Sequence, residues 1–206
     1  INDALHANGS GNTLIGLAGN DSYVVNASNT RIVETATGGS DLVRANGVSY
    51  SLANAANVER LELAGTGLTG TGTSGADTLV SKGSGNTLKG LGGNDIYMVN
   101  AGDTVVEAAG GGTDLVYASV SHTLAANVES LVLTGTGNLA GTGNTLNNLL
   151  TGNNGANRLS GLAGNDTLAG GLGADTLFGG AGNDIFDFNG IADSRVGAGN
   201  RDIIGD

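Results

Sequence analysis

Residues 161–187 read Gly161-Leu-Ala-Gly-Asn-Asp166-Thr-Leu168-Ala, then Gly170-Gly-Leu-Gly-Ala-Asp175-Thr-Leu177-Phe, then Gly179-Gly-Ala-Gly-Asn-Asp184-Ile-Phe186-Asp. These are three copies of G-G-x-G-x-D-x-U-x in a row, with U a large apolar residue. The glycine-rich half allows positive φ and close backbone approach, so it must be a tight turn with exposed carbonyls. The last three residues, such as Thr167-Leu168-Ala169, form a minimal strand whose centre points inward. Two nonapeptides then make one coil of turn, strand, turn, strand, so turns on one side recur with every second nonapeptide. Asp166 and Asp184 obey this spacing, as do Asn157 and Asp175.

Neighbouring rungs of a parallel sheet lie about 4.8 Å apart. Calcium takes six to eight oxygen ligands at about 2.3–2.6 Å. An ion between two stacked turns can therefore touch carboxylate and carbonyl oxygens of both. Without it, stacking brings carboxylates together unneutralised, and the glycines lose much backbone freedom. The metal-free chain is expected to be largely disordered.

The run resembles the RTX family, the haemolysin-type calcium-binding repeats of secreted bacterial proteins. The copies at 170 and 179 match that consensus, and the copy at 161 has Leu162 for the second glycine. A disordered glycine-rich linker is the bland alternative. It does not need the nine-residue spacing of Leu159, Leu168, Leu177 and Phe186. The resemblance implies several bound calcium ions, type I export through a C-terminal signal, and an extracellular or cell-surface location. It implies a right-handed parallel β-roll or β-solenoid, all-β, with calcium in two rows along the turn edges. Candidate metal ligands near the start are Asp3, Gly16, Gly19 and Asp21. Midway they are Asp77, Gly90, Gly93 and Asp95. In the strong run they are Asn157, Gly161, Ala163, Gly164, Asp166, Gly170, Leu172, Gly173 and Asp175, with Gly179, Gly180, Ala181, Gly182 and Asp184. In the tail they are Asp193 and Asp202.

An inward strand-centre position in every nonapeptide gives Leu5, Leu14, Tyr23 and Ile32 in a first block. From about 33 to 71 the frame is lost, though short alternating strands continue, and longer coils of the same solenoid are expected there. Residues 51–57 read as one helical turn. A second block gives Leu79, Leu88, Tyr97 and Val106. Gly85-Asn-Thr-Leu88 repeats Gly11-Asn-Thr-Leu14 at an offset of 74, and the later Asn127-Val-Glu repeats Asn57-Val-Glu at 70. The shrinkage implies small deletions in loops. Asp pairs 18 apart occur in every block: 3 and 21, 77 and 95, 166 and 184. Asn12, Asn86, Asn148 and Asn157 offer a neutral oxygen and weaker sites.

Asp103, Glu107 and Asp114 make a further candidate site in the spacer, and Glu34 and Asp41 are counterparts of the last two. Solvated surface acids are the preferred reading of Glu34, Asp41, Glu107 and Asp114. Asp184→Ala is accordingly expected to weaken calcium-dependent folding more than Asp114→Ala. Beyond Phe186, Asp193 and Asp202 lie 18 after Asp175 and Asp184. Residues 187–206 are similar to the start of a serralysin-type C-terminal domain, although Arg195 stands where an apolar residue is expected. The chain divides into 1–74, 75–145, 146–187 and 188–206, one continuous solenoid and a piece of something longer.

The chain carries 39 glycines, no proline, no cysteine and a net charge of −11. That charge argues against nucleic acid and anionic membrane as partners. No apolar stretch is long enough to span a membrane. The two histidines, His6 and His122, form no HExxH, and no Walker loop or G-x-S-x-G elbow occurs. The expected role is a non-catalytic calcium-triggered folding module of a larger enzyme or toxin. The rival role is a structural segment of a surface layer, adhesin or matrix protein. Terminal rungs leave unpaired edges that allow end-to-end self-association.

Overall fold

The computed structural model describes residues 1–188 and 202–205. Asp193 and Arg195 lie outside the described residues. The chain forms two units, Ile1–Gly112 and Thr113–Asp206. Each is a parallel β-solenoid, the architecture read from the nonapeptides.

In the first unit one sheet runs Ala4–Ala7, Ser22–Val25, Leu42–Asn46, Arg60–Ala64, Thr78–Ser81 and Ile96–Val99, every pair parallel. Its inward column is Tyr23, Val43, Leu61, Leu79 and Tyr97, all 0% exposed. Burying each such side chain stabilises by about 1.5–3 kcal/mol. Along the column Tyr23 pairs with Val43, Val43 with Leu61, Leu61 with Leu79 and Leu79 with Tyr97. Along this column the step from Tyr23 to Val43 is the one longer than two nonapeptides, and in the opposite sheet the step from Tyr50 to Gly70 is equally long. The opposite sheet runs Tyr50–Ser51, Thr69–Thr71, Thr87–Lys89 and Thr104–Val106. Leu88 pairs with Val105, which is buried, whereas Val106 is 44% exposed. This corrects the inward assignment of Val106: that coil is one residue short, so the parity slips. Gly70 takes a strand-centre position because Leu61 and Leu63 fill its place, each 3.2 Å from where a Cβ would stand. Leu14 is half-buried rather than buried. Residues Leu52–Asn54 form the expected helical turn, a 3-10 turn that buries Leu52 and is capped by Ser51 Oγ accepting the Ala53 N–H at 3.2 Å.

In the second unit the strands Leu115–Ala118, Ser130–Leu133, Leu149–Thr151, Thr167–Ala169 and Ile185–Phe186 form one parallel sheet. Strands His122–Thr123, Ala140–Thr142, Arg158–Ala163, Thr176–Ala181 and Ile203–Gly205 form the other. Val116, Leu131, Leu150, Leu159, Leu168 and Leu177 are 0% exposed, and Phe186 is half-buried. Val116 pairs with Leu131, and its counterpart Val43 in the first unit pairs with Leu61. The coil after Val116 is thus the shorter of the two. Three of the four residues lost between the offsets of 74 and 70 fall in it.

Candidate metal centres

Five turn aspartates, Asp21, Asp95, Asp166, Asp175 and Asp184, tie their coil to the one before, whereas Asp77 Oδ2 accepts the N–H of Thr73 in its own turn at 2.6 Å. Asp21 Oδ1 accepts the Asp3 N–H at 2.6 Å, and Asp95 Oδ1 accepts that of Asp77 at 2.8 Å. Asp166, Asp175 and Asp184 accept the N–H groups of Asn148, Asn157 and Asp166 at 2.7, 2.6 and 2.9 Å. In a parallel stack this bond both satisfies a buried amide and fixes the carboxylate's orientation. Asp202 Oδ1 accepts the Asp175 N–H at 2.9 Å, and Thr176 pairs with Ile203. This corrects the expectation that Asp202 follows Asp184: it follows Asp175 after an enlarged coil, in the place assigned to Asp193.

The second carboxylate oxygen is the chemically open one. The Oδ2 atoms of Asp21, Asp41, Asp166 and Asp202 are buried and accept no hydrogen bond. Asp21, Asp41 and Asp166 are 2%, 1% and 1% exposed. Burial raises the Asp166 carboxyl above its ordinary range, and the nearby Asp184 charge adds to this. Burial likewise raises Asp77 and Asp41. An orphaned buried carboxylate oxygen is costly, so it needs a proton or a cation.

The first glycine of each nonapeptide shows where a cation could sit. A Cβ on Gly161 would collide with Asp166 Oδ2 and lie 2.6 Å from the Gly179 carbonyl oxygen of the next coil. Gly170 and Gly179 face Asp175 Oδ2 and Asp184 Oδ2, Gly90 faces Asp95 Oδ2, and Gly152 faces Asn157 Oδ1 together with the Gly170 carbonyl of the next coil. The donor set is all oxygen, from two adjacent coils, around a space only glycine leaves open. That fits calcium and suits a softer metal poorly.

The third glycine has a different task. Gly19, Gly93, Gly164, Gly173 and Gly182 have φ of 132°, 102°, 114°, 134° and 147°, and a Cβ on any of them would strike the backbone of the preceding coil. Gly180 has φ 100° against the Leu162 carbonyl. Ala163 is half-buried, whereas Ala181 and Leu172 are exposed. Asp3 is exposed and Asp184 is not buried.

Glu34, Asp41, Glu107 and Asp114 are 8%, 1%, 9% and 0% exposed. The reading of these acids as solvated surface groups is therefore corrected. Asp41 Oδ1 accepts the Asp21 N–H at 2.7 Å, as a repeat aspartate does, and Asp103 Oδ1 accepts that of Asn86 at 2.8 Å. Glu34 was recoverable from parity: in Arg31–Glu34 it shares the inward face with Ile32. Glu107 shares that of Val105. A second ladder also escaped the sequence reading. Asn2, Asn147 and Asn165 accept through Oδ1 the N–H groups of Asn20, Asn165 and Asn183 at 2.8, 2.7 and 2.8 Å. The Gly-Asn-Asp triplets at 19–21, 164–166 and 182–184 were its signal. His6 is exposed and His122 is half-buried.

Among the described residues no helix is long and apolar enough to cross a membrane. The RTX calcium-binding nonapeptide repeat matches in four copies, at residues 2–31, 71–106, 142–177 and 151–186. The chain is also 41% identical over 88 residues to the endo-1,3-1,4-beta-glycanase ExsH of Rhizobium meliloti. That stretch is 42% of this chain and 19% of the relative's length.

Proposed function

The chain belongs to the RTX calcium-binding nonapeptide repeat family, whose repeats bind calcium, and from this we propose that its turn aspartates and first-position glycine carbonyls hold calcium in rows along the solenoid edges. The observation that carries the reading is the Oδ2 of Asp166: buried, without a hydrogen-bond partner, and facing the glycine gap where the next coil's carbonyl arrives. Bound calcium supplies positive charge that neutralises these oxygens and joins adjacent turns. The protein supplies the rest. Oδ1 of Asp21, Asp95, Asp166, Asp175 and Asp184 holds the preceding coil and aims Oδ2. The glycines keep the space clear, and the leucine column sets the rung spacing.

Extracellular calcium modules bind with dissociation constants of about 10⁻⁴–10⁻³ M. At tenfold excess each ion adds about 1.4 kcal/mol. One such ion cannot order a chain with 39 glycines, but several in register can. The chain is thus a module that stays unfolded where calcium is scarce and folds outside the bacterial cell after type I export. There it supports a larger secreted protein, an enzyme or toxin. The partial likeness to a named glycanase favours an enzyme as that cargo, with the catalytic groups outside these residues. Circular dichroism of the chain titrated with calcium tests the mechanism. A cooperative gain of β signal with calcium and not with magnesium is expected. No gain, or an equal gain with magnesium, overturns it.

A further inference from the structure

Where the first spacer begins, oxygens converge in a way the repeat turns do not show. One carboxylate oxygen from each of Asp21, Glu34 and Asp41 lies within 4.8 Å of the other two. All three residues are at least nine-tenths buried, and the Oδ2 atoms of Asp21 and Asp41 accept no hydrogen bond. The fully buried Tyr23 donates its hydroxyl to Glu34 Oε1, and Glu34 Oε2 accepts the Thr35 N–H at 3.3 Å. Gly16 leaves the wall open. A Cβ there would collide with Tyr23 Oη and Asp21 Oδ2 and lie 2.5 Å from Glu34 Oε1. At the matching turn glycine, Gly161, the neighbours are Asp166 Oδ2 and a backbone carbonyl. At Gly16 a carboxylate and a phenol stand where that carbonyl was.

The arrangement recurs in the second block. A Cβ on Gly90 would collide with Asp95 Oδ2, Tyr97 Oη and Glu107 Oε2, and Tyr97 donates to Glu107. These residues lie 73 or 74 positions after their counterparts.

We propose that Asp21, Glu34 and Asp41 form a second class of cation site, taking one hard, calcium-sized ion with Tyr23 at its edge. It rests on the turn-edge reading only through Asp21. Three carboxylates in place of one carboxylate plus carbonyls raise the charge on the site, and ligand charge is what tightens calcium sites. This site therefore fills at lower ion concentration than the turn rows.

Terbium(III), a hard ion of calcium's size, reports the site through light absorbed by an adjacent tyrosine. Titrating the full chain with terbium under tyrosine excitation is expected to give sensitised emission before the circular dichroism change saturates. Glu34→Gln is expected to move the share of this emission that arises at Tyr23, and not the share at the Tyr97 counterpart, to about tenfold higher terbium. Asp184→Asn, at a repeat turn, is expected to leave it in place. Equal shifts in the two variants overturn the proposal, as does a wild-type chain with no sensitised emission. Should Glu34→Gln fail to fold in calcium, Tyr23→Phe decides, because it keeps every carboxylate. Loss of a large part of the emission with calcium-induced folding intact supports the site, and unchanged emission overturns it. Failure of the turn rows is a separate result, seen as absence of the calcium-dependent dichroism itself.

Discussion

Leu17, Leu91 and Leu162 occupy the second position of their nonapeptides with φ of 74°, 83° and 77°. The same position in consensus copies is Gly171 at 87° and Gly180 at 100°. The turn thus imposes a left-handed residue whatever side chain is present, and a leucine there costs about 1–2 kcal/mol. The three leucines are 47%, 48% and 48% exposed, so packing returns little of that cost. Leu162→Gly is expected to stabilise the calcium-saturated chain by about 0.5–1 kcal/mol, after the extra chain entropy of glycine is subtracted. Urea unfolding measures it. Leu172→Gly is the control, since Leu172 is exposed without a positive φ, and no gain is expected there. The departure from consensus at Leu162 was legible in the sequence. That the backbone keeps the glycine conformation was not, because a sequence records the side chain and not the torsion under it.

The strand-centre spacing was legible at the scale of the coil, since leucines one nonapeptide apart are bound to share a column when two strands make a turn. The spacers were less so. The coil from Val116 to Leu131 is short, that from Tyr23 to Val43 is long and that from Leu177 to Ile204 is longer still. All three pair in register. Loop length carries no periodic signal, so Val106 and Asp202 were placed one step away from where they stand. The acids at the coil ends are hidden from the periodicity for a related reason: the nonapeptide frame is lost there, and parity within the short strand is the clue that remains. The consequence for mutants is direct. Asp114 is fully buried and its N–H donates to Glu129 Oε2 at 2.8 Å, whereas Asp184 is not buried. Asp114→Ala is therefore expected to raise the calcium midpoint of folding at least as much as Asp184→Ala, the reverse of the ranking that consensus alone suggests. Asp114→Ala keeps the backbone bond to Glu129, so what it removes is the buried carboxylate itself. Calcium titrations of the two variants compare them.

The whole chain carries 19 acids against 8 bases, and many of those acids are buried. Glu62 is held by Arg44 at 3.1 Å, Arg60 at 2.9 Å and Lys82 at 3.6 Å. Burial pulls its carboxyl upward, but these cations outweigh that and lower it. The turn and spacer acids shift the other way. Asp41, Asp77 and Asp166 are raised by burial, as is Glu34. A carboxyl raised in the folded state binds its proton more tightly than in the unfolded state. Its favourable share of metal-free stability is complete below the ordinary carboxylate range and is lost as pH rises through the raised value. In a chelator the β signal is therefore expected to grow on acidification into that range. In calcium the same protons compete with the ion, so the calcium midpoint is expected to rise as pH falls. Dichroism against pH in both conditions checks the two opposite slopes. Finally, the phenol, the carboxylates and the open glycine of the first spacer all fall between Gly16 and Asp41. A tandem copying event that duplicates this cassette hands the descendant a finished binding locus, needing no mutation elsewhere to complete it. Inventory of such loci then grows one per cassette, while the block that has Leu168 in place of the tyrosine lacks the phenol.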